Sequence, residues 1–380
     1  MALKQTSRQA RRTFLVGIAA GILALAGCQT GPRPVDTGPV EPIYPPTGLN
    51  YNGVAVIVPL TGPDGPVGTS ISNAAKLALL DTGEQSIRVN VYDSAGAGGA
   101  GAAAERAIAA GNRLILGPLL AEDVRAAAPV ARRAGVPIIA FSNDESVAGN
   151  GVYIMGFTPD QSIGRVVSFA RSRGMKSFGA LVPTGLYGQR SGQAFLSAVQ
   201  KSGGKLVSME TYDRTQASLT AAARRLNSKG DFDAVLIGDA SRMAALASPV
   251  IKVGPRRLGT ELWGTDRSIN RSTALRGAWF AAAPDAQFDK LVVRYRARYG
   301  KTPYRLASLG YDSALLAVRS AKNWPVGGQF PTRSLVDSDG YAGVDGNFRF
   351  GRDGIAERLL EVREVTQAGA TSISPAATAF

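Results

Sequence analysis

The side chains that most often carry out chemistry at neutral pH are almost missing from this sequence. Its 380 residues contain no histidine and a single cysteine, Cys28. Histidine bases, cysteine nucleophiles and nearly all zinc or copper sites are therefore excluded. Carboxylates remain, and a carboxylate-only hydrolase would use Asp239 and Asp266, each just past an apolar strand-like segment. No surrounding pattern supports such a hydrolase, so we expect no enzyme activity, no cofactor and no metal.

A glycine-rich segment, GAGGAG at 96–101, satisfies the GxGxxG pattern of dinucleotide-binding loops. Two features favour a simple alanine–glycine turn instead. The segment follows the second predicted strand rather than the first, and the next strand ends in Gly117 and Pro118, where a ribose-binding acid is expected. We therefore expect a turn here and no bound dinucleotide.

The amino terminus has the pattern of an export signal. Basic residues precede an apolar run from Phe14 to Ala26, and this run is shorter than the about 20 residues that span a bilayer. The residues Leu25-Ala26-Gly27-Cys28 resemble a bacterial lipobox, whose cysteine becomes the lipidated first residue of the mature chain. That resemblance implies a signal peptide over 1–27 and a lipid anchor on Cys28, the alternative being a free buried thiol. Gln29 implies sorting to the outer membrane, facing the periplasm.

The chain is strongly basic, with a formal net charge of +14 at pH 7. Such a surplus favours acidic partners. No aromatic and basic stripe supports nucleic acid, so an anionic cell-wall polymer, lipid headgroups or an acidic protein fit better. Residues 28–52 are rich in proline and glycine and predict an extended tether.

Beyond the tether, short apolar β-rich segments alternate with helical patterns. One series runs from residue 53 to residue 141, and a second begins after VYIMGF at 152–157. Such alternation predicts parallel sheets with crossover helices. The expected fold class is α/β, with two doubly wound lobes and a central cleft at the carboxyl ends of the strands. The predicted lobe 1 covers 53–157 and 305–340, lobe 2 covers 158–304 and 341–368, and a C-terminal tail covers 369–380.

Several segments, in this order, resemble the type I periplasmic binding proteins of the leucine-binding kind. They are VAVIVPLTGP (54–63), LILGP (114–118), GVPIIAFSND (135–144), VPTGLYGQ (182–189) and YAGVDGNFRFGRDGIAERLLEVREV (341–365). The resemblance implies two lobes that close over a ligand by a hinge near 158, 304 and 340. Within this family, segment 114–149 and the lipobox look most like the penicillin-binding-protein activators, lipoproteins that stimulate a peptidoglycan synthase.

The resemblance also implies a ligand site at the strand ends. The matching positions are Leu120, Ala121, Ser142, Asn143 and Asp144 in lobe 1, and Tyr187, Asp239 and Asp266 in lobe 2. Ala121 lacks the hydroxyl that would take a ligand carboxylate and Asp144 would repel one, whereas Asp266 matches the acid that faces a ligand ammonium. Each aspartate could instead cap a helix. Tyr187 could be a cleft wall or a packed loop aromatic, and Ser142 and Asn143 could form a turn.

Two basic stretches add candidate surfaces. The segment 285–300 predicts an amphipathic helix with Phe288, Leu291, Val292, Tyr295 and Tyr299 on one face and Lys290, Arg294 and Arg298 elsewhere. The helix could dock a partner or could be the solvated helix of a lobe. The same alternatives apply to Arg132, Arg133, Arg256 and Arg257.

Two functions without catalysis follow from the sequence. The main prediction is a lipid-anchored, periplasm-facing regulator that binds and activates a peptidoglycan-synthesising penicillin-binding protein. Its partners would be that synthase, the membrane through Cys28, and a small molecule if the cleft holds one, with no role for nucleic acid. The alternative is the substrate-binding component of an ABC importer for amino acids or related small molecules.

Overall fold

The computed structural model describes residues 50–380, in which strands and helices alternate along most of the chain. The strands are β1 (Asn52–Val58), β2 (Ile87–Asp93), β3 (Asn112–Leu116), β4 (Ile138–Ala140), β5 (Val152–Ile154), β6 (Ser177–Pro183), β7 (Lys205–Tyr212), β8 (Ala234–Ile237), β9 (Arg256–Gly259), β10 (Trp279–Ala282), β11 (Tyr341–Gly343), β12 (Gly346–Phe350), β13 (Ala356–Arg358), β14 (Glu361–Thr366) and β15 (Gly369–Ser374). The α-helices are α1 (Gly65–Thr82), α2 (Gly99–Ala109), α3 (Ala121–Arg133), α4 (Pro159–Ser172), α5 (Leu186–Lys201), α6 (Gln216–Ser228), α7 (Ser241–Ala247), α8 (Glu261–Thr265), α9 (Ala286–Tyr299) and α10 (Ala307–Ala321).

Strands β1 to β5 form a parallel sheet in the order β2-β1-β3-β4-β5. Every residue of β1 is buried, because helices cover both faces of the sheet. Alternate side chains of a strand point to opposite faces, and β1 follows this rule. Val54 and Val56 pack in the core cluster that contains α1 and α10, whereas Ala55 and Ile57 pack with α2 and α3. The continuous apolar run that predicted this strand is thus explained by burial on both sides.

A second sheet has seven strands in the order β15-β14-β10-β9-β8-β6-β7. Strands β6 to β10 run parallel, and β14 and β15 are added as antiparallel strands at one edge. Helices α4 and α5 pack in the core on one face, and α6 and α7 in the core on the other. Two doubly wound α/β units confirm the predicted fold class.

The chain passes between the two units three times. It leaves the first sheet after β5, near the predicted hinge position 158, since α4 packs on the second sheet. It returns after β10, because the apolar face of α9 packs in the core of the first sheet, and β11 to β13 pack in that same core. Residues 286–304 and 341–358 therefore belong with the first unit, whereas the predicted boundaries at 304 and 340 placed both in lobe 2. A periodic apolar face shows that a helix is buried, but not against which sheet.

The C-terminal segments also differ from the prediction. Strands β11, β12 and β13 form a separate antiparallel sheet, and of the four strands within residues 341–366 only β14 belongs to the large sheet. The residues 369–374, predicted as part of a tail, form β15, which pairs with β14. Within residues 50–380 no helix combines the length and the apolar character that a membrane crossing requires.

A buried charged cluster lies where α10 meets β11 to β13. Asp345 forms an ion pair with Arg305, and the guanidinium of Arg358 donates a 2.7 Å hydrogen bond to the carbonyl of Met155. Asp312 accepts a 2.8 Å hydrogen bond from a backbone amide. One oxygen of each carboxylate and two nitrogens of Arg358 have no partner among the described residues. Burial, followed by repulsion from Asp345, raises the pKa of Asp312 to about 7.

Candidate functional site

The predicted lobe 1 residues gather at the carboxyl ends of β3 and β4. Leu120 and Ala121 begin α3, and neither caps the helix with a side-chain hydrogen bond. The hydroxyl of Ser142 is buried and accepts a 3.1 Å hydrogen bond from the backbone amide of Asp144. Asn143 between them is exposed. Ser142 thus serves the local turn, and Asn143 faces solvent.

Asp144 joins the two lobes. Its side chain is 1% exposed and accepts from Arg125 of α3 at 2.7 Å and from Arg190 of α5 at 2.5 Å. Because α5 packs on the second sheet, the contact with Arg190 crosses the cleft. The carboxylate also caps a short 3-10 helix by accepting from the amide of Ser146 at 2.9 Å. Burial raises the pKa of Asp144, but the bonds from Ser146 and Arg190 outweigh it and hold that pKa below its usual value.

Tyr187 faces the interior of lobe 2. A Cβ at the next residue, Gly188, would collide with the carbonyl oxygen of Pro183, so this first turn of α5 lies directly on the end of β6. The tyrosine hydroxyl is then 3.0 Å from both the Thr260 hydroxyl and a carboxylate oxygen of Glu261. Burial and the Glu261 charge raise the pKa of Tyr187. The tyrosine hydroxyl is therefore hydrogen-bonded to residues of its own lobe.

Glu261 is a residue of the site that the sequence pattern does not predict. It begins α8, two residues after the end of β9, and its buried carboxylate accepts from the hydroxyls of Ser162, at 2.7 Å, and Tyr187, at 3.0 Å. Burial raises the pKa of Glu261. The available signal was the acid in LGTE (258–261), immediately after an apolar segment; the serine that binds it is 99 residues away in sequence.

Asp239 is paired within lobe 2. Its carboxylate accepts from the hydroxyl of Tyr212 at 2.9 Å and from Arg214 at 3.0 Å, and it also accepts from the amide of Ala240 at 2.8 Å. Its own backbone carbonyl accepts from the indole of Trp263 at 2.9 Å. Burial and the Asp239 charge raise the pKa of Tyr212, which keeps this phenol protonated. The carboxylate of Asp239 is therefore bound by residues of its own lobe.

Asp266 both caps a 3-10 helix and lines a cavity. It caps a 3-10 helix by accepting from the amide of Ser268 at 2.8 Å, and it accepts from the hydroxyl of Ser241. Burial raises the pKa of Asp266, but these bonds outweigh burial and hold it below its usual value. The same residue lines a cavity. Capping and contact with a ligand are therefore compatible at this position.

That cavity has a volume of about 550 Å³ and lies between the lobes. Trp263 belongs to the core of the second sheet and Phe288 to the core of the first, and both line it. Its wall has three carboxylates and two guanidinium groups, both of which already bind acids. The charged lining residues are Asp266, Asp285, Asp289, Arg305 and Arg363, and the acids bound to the arginines are Asp285, Asp345 and Glu361. The lining thus has a negative surplus.

A sequence profile described as periplasmic binding protein matches residues 53–370. The chain belongs to this family. Its members and solved relatives are binding proteins rather than enzymes. This agrees with the leucine-binding type of fold expected from the segments at strand ends.

Solved structures share the periplasmic binding protein fold over most of this chain. A solute-binding protein of an ABC transporter from Rhodopseudomonas palustris BisB5, in complex with 3,4-dihydroxybenzoic acid, is 21% identical with a TM-score of 0.66, and the match covers 87% of this chain and 98% of that one. A leucine-binding protein from Thermotoga maritima MSB8 is 20% identical with a TM-score of 0.65, covering 86% and 99%. A substrate-binding protein from Desulfitobacterium hafniense in complex with Leu is 16% identical with a TM-score of 0.66, covering 85% and 100%.

Among curated proteins, an uncharacterized Rickettsia prowazekii protein is 26% identical over 178 residues. The match covers 47% of this chain and 48% of that protein, so the chain spans about half the length of the curated relative it matches.

The structure also bears on other features predicted from the sequence, namely the glycine-rich segment, helix α9, a metal site and Cys28. Gly98 and Gly99, in the GxGxxG segment, have φ values of 79° and 66° and form the turn that starts α2. Phe288, Leu291 and Tyr295 of α9 are buried, with Lys290, Arg294 and Arg298 exposed as the helical pattern predicts. No group of three potential metal-ligating side chains occurs within residues 50–380. Cys28 lies outside the described residues.

Proposed function

We propose that this chain is the substrate-binding component of an ABC importer for amino acids or related small molecules. The observation that carries the proposal is the 550 Å³ cavity lined by residues of both lobes. A ligand bound there contacts both units, so its binding energy favours the closed arrangement over an open one. The ABC-transporter relatives with bound solutes support the same mechanism.

The charge of the lining indicates the class of solute. Arg305 and Arg363 are already bound to carboxylates, whereas Asp266 and Asp289 form no ion pair with a described lysine or arginine. An ammonium group is attracted to such a wall and a benzoate is repelled. We therefore propose an amine-bearing solute, unlike the dihydroxybenzoic acid of the Rhodopseudomonas palustris protein.

Thermal unfolding of the full chain against a panel of solutes tests this function. A solute at 100 times its dissociation constant adds about 2.7 kcal/mol to the free energy of unfolding. We expect stabilisation by amines or amino acids and none by benzoate. Asp266→Asn keeps the capping oxygen and removes the charge, so it should weaken binding about tenfold. Asp231→Asn, at an exposed position outside the cavity, is the matched control. A panel in which no amine stabilises the chain contradicts the proposal.

The ion pairs of Asp144 favour a second candidate function. Asp144 stands where the family resemblance places a neutral hydroxyl residue, and two arginines already bind it. Closure by an internal ion pair suits a regulator that binds a protein rather than a solute. The function would be activation of a peptidoglycan-synthesising penicillin-binding protein, from an outer-membrane anchor on Cys28. A tenfold shift of the synthase toward its active conformation requires about 1.4 kcal/mol of differential affinity.

Crosslinking in intact cells separates the two functions. Photoreactive residues would replace Asn143 at the cleft and Val293 on α9, both of which are exposed. A crosslink to the synthase, together with no thermal stabilisation by any solute of the panel, favours the regulator. Stabilisation by a solute without a crosslink to the synthase favours the importer. Mass spectrometry of the mature protein tests the anchor, because an unmodified Cys28 excludes lipidation.

A further inference from the structure

A second cavity lies at the opposite end of the large sheet from the cleft. It has a volume of about 360 Å³ and is lined by the first two residues of β9 and by the residues just before β10, whereas the interlobe cavity lies beyond the carboxyl ends of these strands. Three arginines line it, Arg256, Arg257 and Arg276, and no acidic residue does. The rest of the wall consists of glycine, proline, serine, alanine and leucine residues.

Two of these arginines are held in place without a carboxylate. Arg256 donates a 2.5 Å hydrogen bond to the carbonyl of Gly277, and its guanidinium lies 4.4 Å from the centre of the Trp279 ring. Arg257 donates to backbone carbonyls that include those of Ser248, at 3.0 Å, just after the C-terminal end of α7. Burial lowers the pKa of Arg257, and no acid acts against this. Both guanidinium groups are thus positioned, and neither forms an ion pair with a described carboxylate.

Some other arginines of the described chain do pair with carboxylates, as Arg190 and Arg214 do. In the neighbouring depression, Lys252 lies 2.8 Å from Asp231. Arg276 forms no ion pair with a described acid and is exposed at the mouth of the cavity. The lining of the 360 Å³ cavity therefore has a net positive charge.

We propose that this cavity binds a phosphate group, with Arg256 and Arg276 as its direct donors and Arg257 as a fixed positive charge behind them. The planar guanidinium presents paired N–H donors that match phosphate oxygens, and stacking on Trp279 fixes the plane of Arg256 before binding. The phosphate could belong to a soluble phosphate ester or to a phospholipid headgroup. The site is separate from the interlobe cavity, so it does not depend on the proposed function.

Calorimetric titration of the full chain with glycerol 3-phosphate, and co-sedimentation with phosphatidylglycerol vesicles against phosphatidylcholine vesicles, test both sources. We expect Arg276→Ala to weaken binding about tenfold, and Arg276→Glu to abolish it. Arg224→Ala, at an exposed position on α6, should leave binding unchanged. Binding of the soluble ester identifies a solute site, and binding of vesicles alone identifies a headgroup site. Failure of the unaltered chain to bind either probe, or equal binding by the Arg276 and Arg224 variants, overturns the proposal.

Discussion

Replacing Asp144 with asparagine removes the negative charge of an ion pair that crosses the cleft. Breaking a buried ion pair typically costs about 3–5 kcal/mol, and breaking an exposed pair costs about 0–1 kcal/mol. Asp144 is 1% exposed, whereas the side chains of Arg190 and Arg125 are 25% and 52% exposed and can recover water contacts. We therefore expect Asp144→Asn to lower the free energy of unfolding by about 2 kcal/mol.

Urea unfolding of four chains measures the part of this loss that crosses the cleft: the unaltered protein, Asp144→Asn, Arg190→Ala and the double variant. We expect a coupling energy of about 1–2 kcal/mol, and less than about 1 kcal/mol in the same cycle with the more exposed Arg125. Since the pKa of Asp144 is lowered, its contribution should be present above pH about 4 and disappear as the pH falls further. Additive effects of the Asp144 and Arg190 substitutions would refute the cross-cleft contact.

Two further outcomes follow from the packing around α10. The pKa of Asp312 is raised, so between pH about 4 and 7 the folded chain keeps a proton that the unfolded chain has lost. This group therefore lowers the free energy of unfolding as the pH rises from about 4 to 7. Asp312→Asn should flatten that dependence in urea unfolding at pH 5 and pH 8, and an unchanged slope would contradict the assignment. Gly310→Ala should destabilise the chain by about 1–3 kcal/mol, because its Cβ would collide with the carbonyl of Ile71 on α1. Gly164→Ala on α4, where a Cβ meets nothing within 4 Å, should instead stabilise by up to about 1 kcal/mol; a similar loss in both variants would argue against that close approach.

The local pattern of apolar residues was sufficient for the α/β class and for most strands and helices. The fully apolar segment at β1 is buried on both faces, as its composition predicts. Asp144 and Asp239 follow β4 and β8, as their positions in the sequence predict, whereas α8 separates Asp266 from β9. The partners of those aspartates could not be predicted, because Arg190 is 46 residues from Asp144 along the chain. Whether a carboxylate at a strand end is open to a ligand depends on which distant arginine reaches it.

The sequence by itself determined that this chain forms two doubly wound units and has neither histidine chemistry nor a cysteine cluster. These properties depend on composition and on short-range periodicity, which are visible along the chain. Only the tertiary structure decided that α9 belongs with the first sheet, that Arg190 pairs with Asp144 across the cleft, and that three arginines share an acid-free cavity. Each of these depends on contacts between segments far apart in sequence, and such contacts are set by how helices and sheets pack rather than by the residues next to them.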